Sequence, residues 1–105
     1  MSISLEEQQR LDSVIGSLVL EEMYEDDNTA ELTFEVDRGE ITVRLVAETQ
    51  PIIVPSDGLL QAVGQLVTAH ERSGTSLTKA HYRYSKQPSG HWQWDAEYSY
   101  ADGNP

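Results

Sequence analysis

Leu32, Phe34 and Val36 alternate with Thr33 and Glu35, and the alternation resumes at Ile41, Val43, Leu45 and Ala47 after Asp37-Arg38-Gly39-Glu40. Period two is the side-chain period of a strand. A two-residue turn at Arg38-Gly39 sets Val36 opposite Ile41, Phe34 opposite Val43 and Leu32 opposite Leu45, which places all six residues on one face of a hairpin. Such a hairpin is half apolar, and something else in the chain has to cover it.

Two segments have the pattern of a cover. Ser4-Leu5-Glu6-Glu7 reads as a capping box, in which the Ser4 hydroxyl accepts from the Glu7 backbone N–H. Leu11, Val14, Ile15, Leu18 and Val19 follow at helical spacing, with Leu5 before them and Met23 beyond. The spacing predicts a helix from about Leu5 to Leu20 or Tyr24. Gly16 inside it costs roughly 1 kcal/mol relative to Ala, or serves close packing on a neighbour. Asp26-Asp27-Asn28 reads as a turn. Leu59, Leu60, Val63, Leu66 and Val67 mark a second helix, capped by Ser56 or Asp57 and stopped at Ser73-Gly74. Between hairpin and helix, Gln50-Pro51 ends the second strand. Ile52-Ile53-Val54-Pro55 reads as a short extended link, because Pro55 argues against a central strand.

Two more strands are expected at about 76–85 and 91–100, joined by Lys86-Gln87-Pro88-Ser89-Gly90. A register symmetric about Pro88 pairs Tyr84 with Trp92, Tyr82 with Trp94 and Ala80 with Ala96. On the other face it sets Lys79 opposite Glu97 and His81 opposite Asp95. The expected order is α-β-β-α-β-β. It makes one α+β domain over residues 1–105, with a frayed tail at about 101–105. The architecture is a two-layer sandwich in which two helices cover one face of an antiparallel four-stranded sheet.

Charge narrows the function. Residues 1–50 carry 13 carboxylates against 3 basic side chains, and they hold nearly all of the net charge of −11. The stretch Glu21 to Glu31 contains six carboxylates and no base. Concentrated like charge opposes compaction, so the patch points to a basic partner. An acidic chain of pI near 4.4 is a poor fit to nucleic acid or an anionic membrane, both of which need Lys and Arg. No apolar run is long enough to span a bilayer, and Met1-Ser2-Ile3-Ser4 reads as a mature cytosolic start. Cysteine is absent, which removes disulfides, thiol catalysis and thiolate metal sites and fits the cytoplasm. His70, His81 and His91 lack ligand spacing. His70 sits near the end of the second helix, where a cation suits the dipole. Glu25-Asp26-Asp27-Asn28-Thr29 lacks the central Gly of a calcium loop. His81 with Asp95 resembles two thirds of a catalytic triad without its nucleophile, so a cross-strand ion pair is the expected role. Tyr82, Tyr84, Trp92, Trp94, Tyr98 and Tyr100 are expected to pack the core with their polar tips at the rim. We therefore expect no catalytic residues, no metal and no cofactor.

The layout resembles the small bacterial immunity proteins of the YezG-like type. The resemblance lies in the opening helix, the hairpin Leu32–Ala47, Pro55 before the second helix and the Ser73-Gly74 stop. It extends to the aromatic closing strand Gly90-His91-Trp92-Gln93-Trp94-Asp95-Ala96-Glu97-Tyr98. It implies a cytosolic inhibitor, without activity of its own, that neutralises a secreted antibacterial toxin in bacterial competition. A nuclease toxin is basic because it holds phosphates. An acidic inhibitor mimics those phosphates and steers association. The expected contacts are Glu21, Glu22, Glu25, Asp26, Asp27 and Glu31, then Glu35, Asp37 and Glu40, with Tyr24 as an anchor. The competing classes are a structural adaptor for a basic subunit and a small hydrolase using His81 and Asp95.

Overall fold

Ser4 caps the first helix as its spacing requires: its Oγ accepts from Glu7 N at 3.2 Å, and α1 runs Leu5–Glu21. The computed structural model describes residues 4–74 and 76–101. Met1 to Ile3 and residues 102–105 of the expected tail lie outside them. The strands are β1 (Thr29–Asp37), β2 (Glu40–Ala47), β3 (Gln50–Ile53), β4 (Leu77–Lys86) and β5 (Trp92–Tyr100), with α2 (Asp57–Arg72) between β3 and β4. Ser56, rather than Asp57, is the α2 cap, accepting from Leu59 N at 3.1 Å. Gly74, in the left-handed region, ends the helix.

The β1–β2 hairpin has the register its alternation demands: Val36 faces Ile41, Phe34 faces Val43 and Leu32 faces Leu45. Arg38 (φ 53°) and Gly39 (φ 83°) both have positive φ. That is the turn whose twist matches the flanking strands.

The sheet has five strands, not four, in the order β3-β2-β1-β4-β5, and every neighbouring pair is antiparallel. The element order is accordingly α-β-β-β-α-β-β. The extra strand is the segment read as an extended link. The chain reverses at Glu48-Thr49, Gln50 pairs with Ala47, and Ile53 pairs with Leu45 across an irregularity. Pro51 does not forbid this, because β3 is an edge strand and a proline at an edge leaves no ladder bond unmade. Ile53 is buried beside Leu45, and that burial holds the short strand down.

The second hairpin also departs from expectation. Its pairs are Tyr84 with Trp94, Tyr82 with Ala96, His81 with Glu97 and Arg83 with Asp95. The register is shifted by two residues from one centred on Pro88. The loop explains the shift. Gly90 N donates to the Gln87 carbonyl at 2.8 Å, and Gly90 has φ 91°. Pro88 is thus the second residue of the turn, where its φ is preset, and the centre falls on Ser89. A shift of two keeps every side chain on its expected face, so Trp92 and Trp94 still share one side.

Both helices cover one side of the sheet. Leu11, Ile15 and Val19 of α1 and Leu59, Val63, Leu66 and Val67 of α2 are buried with Leu32, Phe34, Leu45, Ala80, Tyr82 and Tyr84. Each such large apolar side chain contributes about 1.5–3 kcal/mol on burial. The other side of the sheet is open. Among the described residues, no helix is long and apolar enough to cross a membrane.

Candidate functional site

The chain between α1 and β1 is acidic, yet it is held in a defined shape, and Asp27 holds it. Asp27 is 0% exposed. Its Oδ2 accepts from Tyr24 N at 2.9 Å and Gln50 Nε2 at 2.7 Å, and its Oδ1 accepts from Thr49 N at 2.7 Å and from the Thr49 hydroxyl. Asp27 N returns a bond to the Tyr24 carbonyl. Burial pushes this carboxyl up, but the hydrogen bonds from Thr49, Tyr24 and Gln50 outweigh it and hold the group well below the ordinary carboxylate range. Asn28 adds a second tie, with its N and Nδ2 both 3.0 Å from Glu48 Oε1. The turn is thereby stapled to the β2–β3 reversal.

This corrects one expected contact: Asp27 is part of the frame and is not available to a partner. The neighbours it positions are available. Glu21, Glu25 and Asp26 are exposed, Glu22 is half-buried, and Tyr24 stands 63% exposed. Lys86 reaches the rim of this turn, donating to the Glu25 carbonyl at 2.9 Å while its ammonium lies 5.7 Å from the Trp92 ring centre. The acidic turn and the start of β5 therefore share one end of the molecule.

The remaining expected contacts do not join that cluster. Glu31 and Glu35 project from β1 onto the open face, where β4 supplies partners: His81 Nε2 lies 2.8 Å from Glu31 and Lys79 Nζ 3.7 Å from Glu35. Asp37 and Glu40 face each other at the β1–β2 turn, about 27 Å along the strand from Thr29. The acidic residues thus form an uncompensated turn, a partly neutralised strip and a distant tip.

His81 and Asp95 are not brought together. The registers set His81 opposite Thr33 and Glu97, and its ring meets the diagonal Glu31, while Asp95 and Glu97 both bind Arg83, at 2.8 and 3.2 Å. These ions raise the Arg83 guanidinium above its ordinary value. Near them the end of the sheet forms a hollow of about 590 Å³ whose lining includes Glu31, Glu48, Arg83, Tyr84, Trp94 and Asp95. Trp94, 47% exposed, is part of that lining. No three or more His, Asp or Glu among the described residues are placed to hold a metal ion.

A second polar constellation lies inside the protein. Asp12 on α1 is buried and accepts from Tyr82 Oη at 2.6 Å, Tyr98 Oη at 2.8 Å and Gln8 Nε2 at 2.9 Å. Gln8 Oε1 lies 2.8 Å from His70 Nε2. Since the Gln8 amide nitrogen is spent on Asp12 and Tyr98, its oxygen must accept, so His70 carries its proton on Nε2. His70 Nδ1 is buried without a partner. Burial lowers the pKa of His70, against the pull of the Asp12 charge. Burial and the bond to Asp12 raise Tyr82 far above a free phenol, and the same causes raise Tyr98. With Asp12 and His70 closed to solvent, the group binds helices to sheet and offers no substrate an approach. Its signal in the sequence is Asp12 inside the apolar stripe of α1, four residues after Gln8.

Neither a protein-family model nor a curated protein matches this chain.

Proposed function

We propose that the protein is a binding protein that covers a basic surface of another protein. In its narrower form it is a cytoplasmic immunity protein that neutralises an antibacterial toxin with a basic nuclease domain. The observation that carries the reading is the exposed acidic turn. Glu21, Glu25 and Asp26 are exposed and flank the exposed Tyr24 along the chain, on a backbone fixed by Asp27. A rigid acidic surface with an aromatic centre suits a basic partner, because charge steers encounter and a preordered aromatic anchor loses little entropy on docking. The half-exposed Trp94 and the hollow beside it lie at the same end and extend the surface.

The test is association kinetics with the protein captured by this chain in its native host. Glu25→Gln with Asp26→Asn should slow association several-fold at low salt and flatten its salt dependence, with the fold retained. An unchanged rate and salt slope would overturn the reading. Inhibition of the captured protein's activity separates a toxin inhibitor from a structural adaptor.

A further inference from the structure

Strand β5 ends the sheet, and among the described residues it pairs with β4 alone. Which of its backbone groups are free follows from the ladder. Gln87 N donates to the His91 carbonyl at 2.7 Å, so Gln87 and His91 form a hydrogen-bonded pair. Bonded and non-bonded pairs alternate in an antiparallel ladder. Ser85–Gln93, Arg83–Asp95 and His81–Glu97 are therefore bonded pairs, and Tyr84–Trp94, Tyr82–Ala96 and Ala80–Tyr98 are not. Lys86 N bonds away from β5, to the Asn28 carbonyl at 2.8 Å, as this alternation requires. The N–H and C=O groups of Trp92, Trp94, Ala96 and Tyr98 thus point outward along a nine-residue edge.

The two edges of the sheet differ. β3 is four residues long and contains Pro51, which are two of the ways an edge is made unable to pair. β5 is long and has no proline. Its one protection is charge: Asp95 and Glu97 alternate on the open face, while Trp92, Trp94, Ala96 and Tyr98 line the other. That charge also selects what can pair. Full-length antiparallel pairing with a second copy centres on Ala96, setting Asp95 opposite Glu97 of the second copy and the reverse. Like charges directly opposite destabilise a strand pair, and here each molecule already carries −11. A strand with Lys or Arg at those positions meets Asp95 and Glu97 favourably, and its apolar alternate residues meet the exposed Trp94 ring.

We propose that the β5 edge accepts an extended segment of a basic protein as a sixth strand, with Lys or Arg alternating with apolar residues. The sign of the partner's charge rests on the function proposed above. The acidic turn lies at the same end of the sheet, on the far side of Lys86, which pairs with Trp92 and bonds the Glu25 carbonyl, so one partner can reach both.

The probe is an eight-residue peptide alternating Lys and Val, added to the full chain, with amide exchange followed by nitrogen-15 NMR. The proposal expects slowed exchange at Trp92, Trp94, Ala96 and Tyr98, and binding at least about tenfold weaker for the matching Glu-Val peptide. Ala96→Pro removes an outward donor without touching the β4 ladder, and it should weaken binding by about tenfold. If that variant does not fold, Asp95→Asn with Glu97→Gln leaves the backbone intact and should weaken binding by about fivefold. Unprotected β5 amides at saturating Lys-Val peptide overturn the proposal, as does concentration-dependent protection in the free protein, which means pairing with a second copy. If Glu25→Gln with Asp26→Asn slows the native partner while the peptide leaves β5 unprotected, the edge proposal fails and the acidic-turn reading stands. The opposite pattern removes the acidic turn and keeps the edge.

Discussion

Asp27 shows how one residue changes meaning between sequence and fold. In the chain it is the third of three consecutive carboxylates; in the structure its two oxygens take four donors from Tyr24, Thr49 and Gln50. Asp27→Asn replaces an acceptor with an NH₂ that faces donors. It should cost about 2 kcal/mol, read as a fall of roughly 8–16 °C in Tm, whereas Asp26→Asn should change little. The acid response follows from the depressed carboxyl. Ionised Asp27 contributes stability that is fully present above the unfolded value near 3.8 and is lost as pH falls toward the lower folded value. Wild type should therefore lose more stability below pH 4 than Asp27→Asn does. Arg38 is the converse case, a residue the turn tolerates but does not favour. Its φ of 53° suits Asn better than Arg, and Arg38→Asn should raise stability by about 0.5 kcal/mol in thermal unfolding. The Arg38-Gly39 turn was legible because two alternating runs bracket it. The role of Asp27 was not, because three of its four donors, on Thr49 and Gln50, lie more than twenty residues away.

Among the elements, α1 departs furthest from a plain apolar stripe, since Gln8 and Asp12 connect it to α2 and to β4–β5. The fold favours neutral His70, because a proton added at its buried Nδ1 would find no acceptor for its hydrogen bond. Its lowered pKa means that the stability given by the neutral ring is present above its unfolded value near 6.5 and is lost as pH falls through the folded value. The groups facing it are Gln8, Asp12 and the Tyr100 ring, the last 6.0 Å away. Tm measured from pH 7 to pH 5 should fall in wild type and stay flatter in His70→Phe, whatever the variant's absolute stability. A parallel slope would assign the proton uptake to another group. Gly16 tests the same helix from its packing side. A Cβ there would lie 3.7 Å from Tyr84 Cε1, an ordinary contact, so Gly16→Ala should stabilise by about 0.5–1 kcal/mol and not clash. The glycine is a helix weakness and not a packing necessity.

At the scale of the whole molecule, charge is unevenly spread, and some of it is neutralised by strands distant in sequence. Lys79, His81 and Arg83 all lie on β4, and they meet carboxylates of β1 and β5. At the acidic turn the β4 cation is Lys86, which bonds the Glu25 carbonyl, and among the described residues the carboxylates of Glu21, Glu22, Glu25 and Asp26 form no ion pair. With a net charge of −11 and, among the described residues, exposed or half-exposed ion pairs to set against it, repulsion should dominate. Tm should rise as salt is raised from about 10 mM to about 150 mM, where the Debye length shortens to about 8 Å. A falling Tm would show that the ion pairs outweigh it. The helices, the Ser4 cap, the first hairpin with its register and the assignment of faces were all determined by the sequence, because each depends on residues within one turn or one hairpin of each other. Tertiary structure decided the rest. It made 50–53 a strand, since an edge beside β2 accepts Pro51 and buries Ile53. The two-residue shift of the second hairpin is not among these, since the local turn sets it: Pro88 fits the second turn position and Gly90 the left-handed one. Tertiary structure took Asp27 out of the acidic surface and Asp12 into the core, and it gave His81 to Glu31 in place of Asp95. A carboxylate reads the same in sequence whether it faces water or four donors. Its role depends on which backbone and hydroxyl groups the folded chain brings to it, and those come from segments that no local pattern connects.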